Sequence, residues 1–107
     1  VTLDDDGRIA DFAQDVKACA LGQAAAGVVG QSVIGASVDD LKDARDAMIA
    51  MLKAGGDGPV GRFEDLRLLK QVADYPARHA STLVSLEATL EAVNKALAAR
   101  TRLAGAA

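Results

Sequence analysis

The sequence predicts an α+β domain, in which a small antiparallel β-sheet is covered by helices on one face and the longest helix lies at the C-terminus. Near the N-terminus, Asp6-Gly7 separates two β-type runs, which indicates a hairpin because both residue types tolerate positive φ. Apolar residues then recur at helical spacing. The 107 residues, 50% of them hydrophobic, suffice for one domain with an aliphatic core.

The predicted sheet begins with Val1–Leu3 and a second strand that starts at Ile9 and continues through Phe12, Gln14 and Val16. A two-stranded hairpin alone is marginally stable in water. We therefore expect a third strand, supplied by residues upstream of Val1. Residues 1–107 are accordingly expected to be a single domain that lacks an upstream N-terminal segment.

Two helices are predicted in the middle of the chain. The first spans about Ala20 to Val29, packs against the sheet because its alanine and glycine residues allow close approach, and is ended by Gly30. The second begins at Ser37, whose hydroxyl can cap the helix, and is followed by the glycine-rich loop Gly55–Pro59. The acidic pair after Ser37 indicates ordinary helix-start charges.

Two further helices are predicted, Arg62–Ala73 and Ala77 to about Ala99, followed by a tail, Thr101–Ala107, that is expected to fray. The last helix carries an apolar stripe with alternating spacings of three and four residues: Leu83, Leu86, Leu90, Val93 and Leu97. A coiled-coil seam and a core-facing stripe both produce this pattern. We favour packing against the sheet and the first helix.

Composition excludes several classes of protein. The formal net charge of −3 lacks the basic excess of a nucleic-acid-binding surface. A single cysteine cannot form an internal disulfide, so nothing indicates secretion. No apolar run reaches the roughly 18 residues of a membrane span. We therefore expect a cytoplasmic protein with neither nucleic acid nor membrane as a partner.

The reactive side chains are few. Cys19, the only cysteine, lies where the predicted second strand gives way to the first helix, and His79, the only histidine, falls in the first turn of the last helix. A thiol at a helix N-terminus favours the thiolate, which binds metals and attacks sulfur. Alternatively, Cys19 is a small buried hydrophobe and His79 an ordinary surface residue. Two ligands alone do not fill a tetrahedral metal site.

Three segments resemble the IscU/NifU N-terminal family of iron–sulfur cluster assembly scaffolds. Asp6–Asp11 followed by Cys19–Ala26 resembles the strand of that family that enters a helix rich in small residues. Ser37–Leu41 is similar to the start of its next helix, and Pro76–Leu83 to its late motif of a proline, a basic residue and a histidine. The three segments follow one another in the same order as in that family, and the resemblance covers nearly the whole chain.

The resemblance implies a scaffold and not an enzyme in the usual sense. It implies that Cys19 and His79 lie together at one end of the sheet and bind a transient iron–sulfur cluster or zinc. Lys17 and Arg78 would support the site, with Arg78 holding anionic sulfur species. A cysteine desulfurase and cluster-acceptor proteins are the implied partners.

The chain departs from the three cysteines of that family. The first would lie upstream of Val1, the second matches Cys19, and the third falls on Ala80 or Ser81, depending on the alignment. One cysteine is also what a SufE-like sulfur acceptor for a cysteine desulfurase uses, which is a second hypothesis. A third hypothesis is a structural or interaction domain that has lost cluster binding.

Overall fold

The computed structural model describes residues 1–15 and 20–106, of which 104–106 by their backbone alone. In chain order the elements are β1 (Thr2–Leu3), β2 (Ile9–Asp11), α1 (Ala20–Ser32), α2 (Val38–Ala54), a 3₁₀ segment (Gly61–Asp74), a 3₁₀ turn (Pro76–Arg78) and α3 (His79–Ala106). β1 and β2 pair in antiparallel fashion. The predicted α+β class with a small sheet and a long C-terminal helix is confirmed.

The hairpin turn lies where the Asp-Gly pair predicted it. Asp4 Oδ1 accepts hydrogen bonds from the backbone N–H of Asp6 at 3.0 Å and of Arg8 at 2.9 Å. Gly7 has a φ of 79°, in the left-handed region that glycine reaches without strain. One aspartate side chain therefore satisfies two backbone donors of the loop and fixes the turn.

The second strand is shorter than predicted. It ends at Asp11 and does not continue through Gln14, while Val16 lies outside the described residues. The Gln14 side chain connects two helices, because its Nε2 donates to the Ala26 carbonyl at 2.9 Å and its Oε1 accepts from Ser85 Oγ at 3.0 Å. The chain after β2 is thus held by helices instead of extending the ladder.

The prediction that Gly30 ends α1 is wrong, because the helix continues to Ser32. Glycine costs a helix about 1 kcal/mol relative to alanine, but tertiary packing overrides such a preference. The buried face of α1 consists of small and β-branched residues: Gly22, Ala25, Ala26 and Val29. The expected packing of α1 against the sheet is wrong, because the helix packs mainly against α3 and the 3₁₀ segment. The chain turns instead at Gly35, with a φ of 88°.

The predicted start of α2 is confirmed by a reciprocal capping box. Ser37 Oγ accepts from the Asp40 backbone N–H at 3.2 Å, and Asp40 Oδ2 accepts from the Ser37 N–H at 3.0 Å. Two of the unpaired donors at the helix start are thereby satisfied. At the other end, Gly55 has a φ of 74° and ends the helix.

The predicted helix Arg62–Ala73 is a 3₁₀ segment whose backbone leaves helical geometry at Phe63, with φ −106° and ψ 20°. The break lets the buried Phe63 ring reach the core while Arg62 points back to the end of α1. Arg62 Nη1 donates to the carbonyls of Ser32 at 3.2 Å and Ile34 at 2.7 Å. The bond to Ser32 satisfies an acceptor that the end of α1 leaves without an intrahelical partner, and the bond to Ile34 holds the connection that follows.

The apolar stripe of α3 faces the core. Leu83, Leu86, Leu90 and Val93 are buried, and Leu97 is partly buried against the same cluster. α3 packs against α1 and α2 and contacts β1. The stripe is therefore part of the domain core, as favoured from the sequence.

Both ends of α3 differ from the prediction. The helix begins at His79 after the 3₁₀ turn, and it extends to Ala106 instead of ending near Ala99. Beyond Ala99, the Arg100 guanidinium donates to the carbonyls of Asp4 at 2.8 Å and Leu3 at 3.2 Å. The expected fraying of the tail is therefore wrong as far as Ala106. Within residues 1–15 and 20–106, no helix has the length and apolar character needed to cross a membrane.

Replacing Leu90 tests the burial of this stripe. Leu90→Ala should lower the free energy of unfolding by about 2–5 kcal/mol, since it leaves a cavity at a site that is 4% exposed. Leu103→Ala on the same helix, at a site 74% exposed, is the matched control and should change little. Urea denaturation measures both, and equal effects would show that the stripe is not the core.

Replacing Ser37 tests the capping box. Ser37→Ala should lower the free energy of unfolding by about 0.5–2 kcal/mol, because the Asp40 N–H loses its acceptor. Ser37→Thr keeps a hydroxyl at the cap and should recover most of that loss. A Ser37→Ala variant as stable as the wild type in thermal unfolding would contradict the assignment.

Candidate functional site

His79 is the first residue of α3 and is buried, with 8% of its surface exposed. Its Nε2 lies 3.1 Å from the Val72 carbonyl oxygen and 3.3 Å from the Ala73 carbonyl oxygen. Carbonyl oxygens only accept hydrogen bonds, so Nε2 carries the proton. The predicted place of His79 at the start of the last helix is confirmed, and the alternative of an ordinary surface histidine is wrong.

His79 lines an open groove of about 630 Å³ between the end of α2, the 3₁₀ segment and the start of α3. Pro76 and Ala80 flank the histidine in the wall of this groove, and Lys53 and Glu87 place one positive and one negative side chain there. A small ligand can therefore approach the imidazole from solvent even though most of the ring is covered.

Arg78 lies next to His79 in the 3₁₀ turn and is exposed. Its backbone is engaged on both sides, since its N–H donates to the Tyr75 carbonyl at 2.9 Å and its carbonyl accepts from Thr82 Oγ1 at 2.8 Å. The main chain of Arg78 thus fastens the entry to α3, while the residue remains accessible from solvent.

The other predicted site residues, Cys19 and Lys17, lie outside the described residues. The structure begins again at Ala20, which is the first residue of α1. The expected proximity of Cys19 to His79 therefore stays a prediction, as do the supporting role of Lys17 and the alternative that Cys19 is a buried hydrophobe.

The fold is matched by a solved structure, the N-terminal part of a nitrogen-fixing NifU-like protein from Brucella abortus. It covers 83% of this chain at 52% sequence identity, with a TM-score of 0.80. The chain thus resembles a NifU-like protein in both sequence and fold, as its three segments predicted. It spans 62% of the length of the Brucella chain. No family model matches the chain, and neither does any curated protein.

Similarity to a NifU-like protein does not by itself supply a complete ligand set. In the part of the chain that the structure describes, no three His, Cys, Asp or Glu side chains are grouped to hold a metal ion. Beside His79, this chain carries Ala80 and Ser81, the two positions on which the resemblance places the third cysteine. The described residues alone therefore do not fit a closed tetrahedral site, which needs four donors.

Of the acidic pair Asp39-Asp40, Asp40 has a structural role in the fold. Asp40 closes the capping box, and its Oδ2 lies 3.7 Å from Arg8 Nη1 and 3.9 Å from Arg62 Nε. Arg8 Nη1 also donates to the Gly35 carbonyl at 2.9 Å. The interpretation of these carboxylates as helix-start charges is borne out for Asp40, which joins the hairpin, α2 and the 3₁₀ segment.

Sequence reasoning missed a second groove of about 400 Å³, which lies between the segment after β2 and the outer face of α3. Phe12 lines one wall, and Val84, Ala88 and Ala92 line the other. The signal in the sequence was this second apolar row on the last helix, which lies beside the leucine stripe. The partners of His79 were also missed, because backbone carbonyls leave no mark in a residue pattern.

Proposed function

We propose that this chain acts as an iron–sulfur cluster assembly scaffold, which holds a cluster or zinc as cargo through Cys19 and His79 and is not an enzyme. The observation that carries the proposal is the match to a NifU-like protein at 52% identity with a TM-score of 0.80. Thiolate selects zinc and iron–sulfur species, and imidazole suits zinc and iron. The two side chains are thus of the right chemical type.

The surroundings of His79 support a role as a ligand. Its ring is held by two backbone carbonyls and lies in the wall of an open groove, so its orientation is set before a ligand arrives. Metal-binding histidines generally donate their second N–H to a carbonyl or carboxylate in this way. Cys19 directly precedes the first residue of α1 in the sequence, and helix starts favour thiolates.

The remaining donors have to come from elsewhere, because one thiolate and one imidazole leave two positions of a tetrahedral site open. Inorganic sulfide, an upstream cysteine or a partner protein would fill them. Lys17 and the exposed Arg78 add positive charge that holds anionic sulfur species near the site. The partners in this proposal are a cysteine desulfurase, which supplies the sulfur, and acceptor proteins, which receive the cluster.

A second candidate follows from the single cysteine, which suits a SufE-like sulfur acceptor. The Cys19 thiolate would attack the outer sulfur of the desulfurase persulfide. A new S–S bond forms at Cys19, the old one breaks, and the desulfurase thiolate leaves, so no external oxidant is required. The similarity to a NifU-like protein at 52% identity favours the scaffold over this alternative.

Replacing Cys19 tests both candidates. Cys19→Ser should abolish uptake of iron with sulfide and of zinc in the full-length protein while far-ultraviolet circular dichroism stays unchanged, since no other residue among 1–107 can supply a thiolate in its place. Absorption spectra after anaerobic reconstitution report the cluster, and mass spectrometry after incubation with a desulfurase and cysteine reports a persulfide. Persulfide without cluster uptake by the wild type would favour the sulfur acceptor. If Cys19→Ser takes up cluster and persulfide like the wild type, both candidates are contradicted, and the hypothesis of a structural or interaction domain stands.

Restoring a third thiol gives a test by gain of function. Ala80→Cys adds a thiol to the groove beside His79, at one of the two positions that align with the third cysteine, and should tighten zinc binding several-fold because a vacant ligand position is filled. Ala98→Cys adds an exposed thiol farther along α3 and is the matched control. Equal zinc affinities of the two variants by competition with a chromophoric chelator would argue against a metal site at His79.

A further inference from the structure

The two ring nitrogens of His79 have different surroundings. Nε2 lies within hydrogen-bond distance of two carbonyl oxygens, those of Val72 and Ala73 near the end of the 3₁₀ segment. A neutral imidazole carries one N–H and one lone pair. Because the proton is on Nε2, the lone pair of the neutral ring is on Nδ1.

The proline that precedes α3 explains why these carbonyls need a donor from a side chain. Proline has no backbone N–H. In a helix that continued regularly, the N–H at position 76 would serve the Ala73 carbonyl in 3₁₀ geometry or the Val72 carbonyl in α geometry. Pro76 cannot do so. The Val72 carbonyl accepts one hydrogen bond from the Tyr75 N–H at 2.9 Å. The His79 ring supplies the hydrogen bond that a backbone N–H at position 76 would otherwise donate.

We propose that His79 divides two tasks between its nitrogens. Nε2–H joins the end of the 3₁₀ segment to the start of α3 across the proline break, and Nδ1 is the atom that binds a metal ion. The second task rests on the proposed function, and the first does not. Coordination through Nε2 would remove the proton and leave two carbonyls without this donor, which is costly for groups at a buried residue.

Two amide substitutions separate the tasks. A glutamine side chain places its amide nitrogen close to the position of Nε2, and asparagine places its own close to that of Nδ1. His79→Gln should therefore keep the bond to the carbonyls, and His79→Asn should lose it. Neither amide is a strong ligand for zinc, so both variants lack the Nδ1 donor. His79→Ala lacks both functions.

The first measurement uses the metal-free, full-length protein. In urea denaturation, His79→Ala and His79→Asn should raise the equilibrium constant for unfolding by about 2- to 10-fold, as expected for one lost hydrogen bond, and His79→Gln should stay close to the wild type. Nitrogen-15 NMR of the imidazole should show the proton on Nε2. A glutamine variant as unstable as the alanine variant, or a proton on Nδ1, would overturn the Nε2 task.

The second measurement is a zinc titration of the same four proteins. All three variants should bind zinc at least about tenfold more weakly, since even the loss of a hydrogen-bond partner of a metal ligand lowers metal affinity about 10–100-fold. In the wild type, zinc should shift the Nδ1 resonance while the proton stays on Nε2. Wild-type affinity in His79→Gln, or loss of the Nε2 proton on binding, would overturn the Nδ1 task alone. A wild-type protein that binds no zinc would overturn that task together with zinc binding in the proposed function, and the metal-free measurements would still decide the Nε2 task.

Discussion

The fold depends on the packing of the buried face of α3 against α1 and α2. A sheet of two short strands cannot bury enough apolar surface to be stable alone. α3 supplies that surface through the stripe from Leu83 to Val93, and both of its ends hold other parts of the chain. Near the C-terminus Arg100 binds the hairpin, and at the N-terminus His79 binds the 3₁₀ segment.

The sequence predicted the features that are determined locally. Three of these features are the Asp-Gly turn, the capping box at Ser37 and the leucine stripe. Each arises from residues within a few positions of one another, so its pattern can be recognised from the sequence alone. The errors fall where distant residues decide. Gln14 bonds to Ser85 rather than extending β2, and Arg100 extends α3 by reaching Leu3 and Asp4, contacts that span 71 to 97 positions.

The candidate site shows the same division. The sequence placed His79 at a helix start because a proline precedes it, but it gave no sign that the ring would be buried against the carbonyls of Val72 and Ala73. The chain has one thiol, Cys19, and one imidazole, His79, with Ala80 beside the histidine. That combination makes the shared use of Cys19 and His79 the central claim.

The most direct test of this claim is an anomalous-diffraction map from crystals of the zinc-loaded, full-length protein. The account predicts one zinc peak bonded to both Cys19 Sγ, at about 2.3 Å, and His79 Nδ1, at about 2.0–2.1 Å. The Val72 and Ala73 carbonyls should remain on Nε2 in the same crystals. Zinc bound elsewhere, with Cys19 and His79 on opposite faces of the domain, would contradict it.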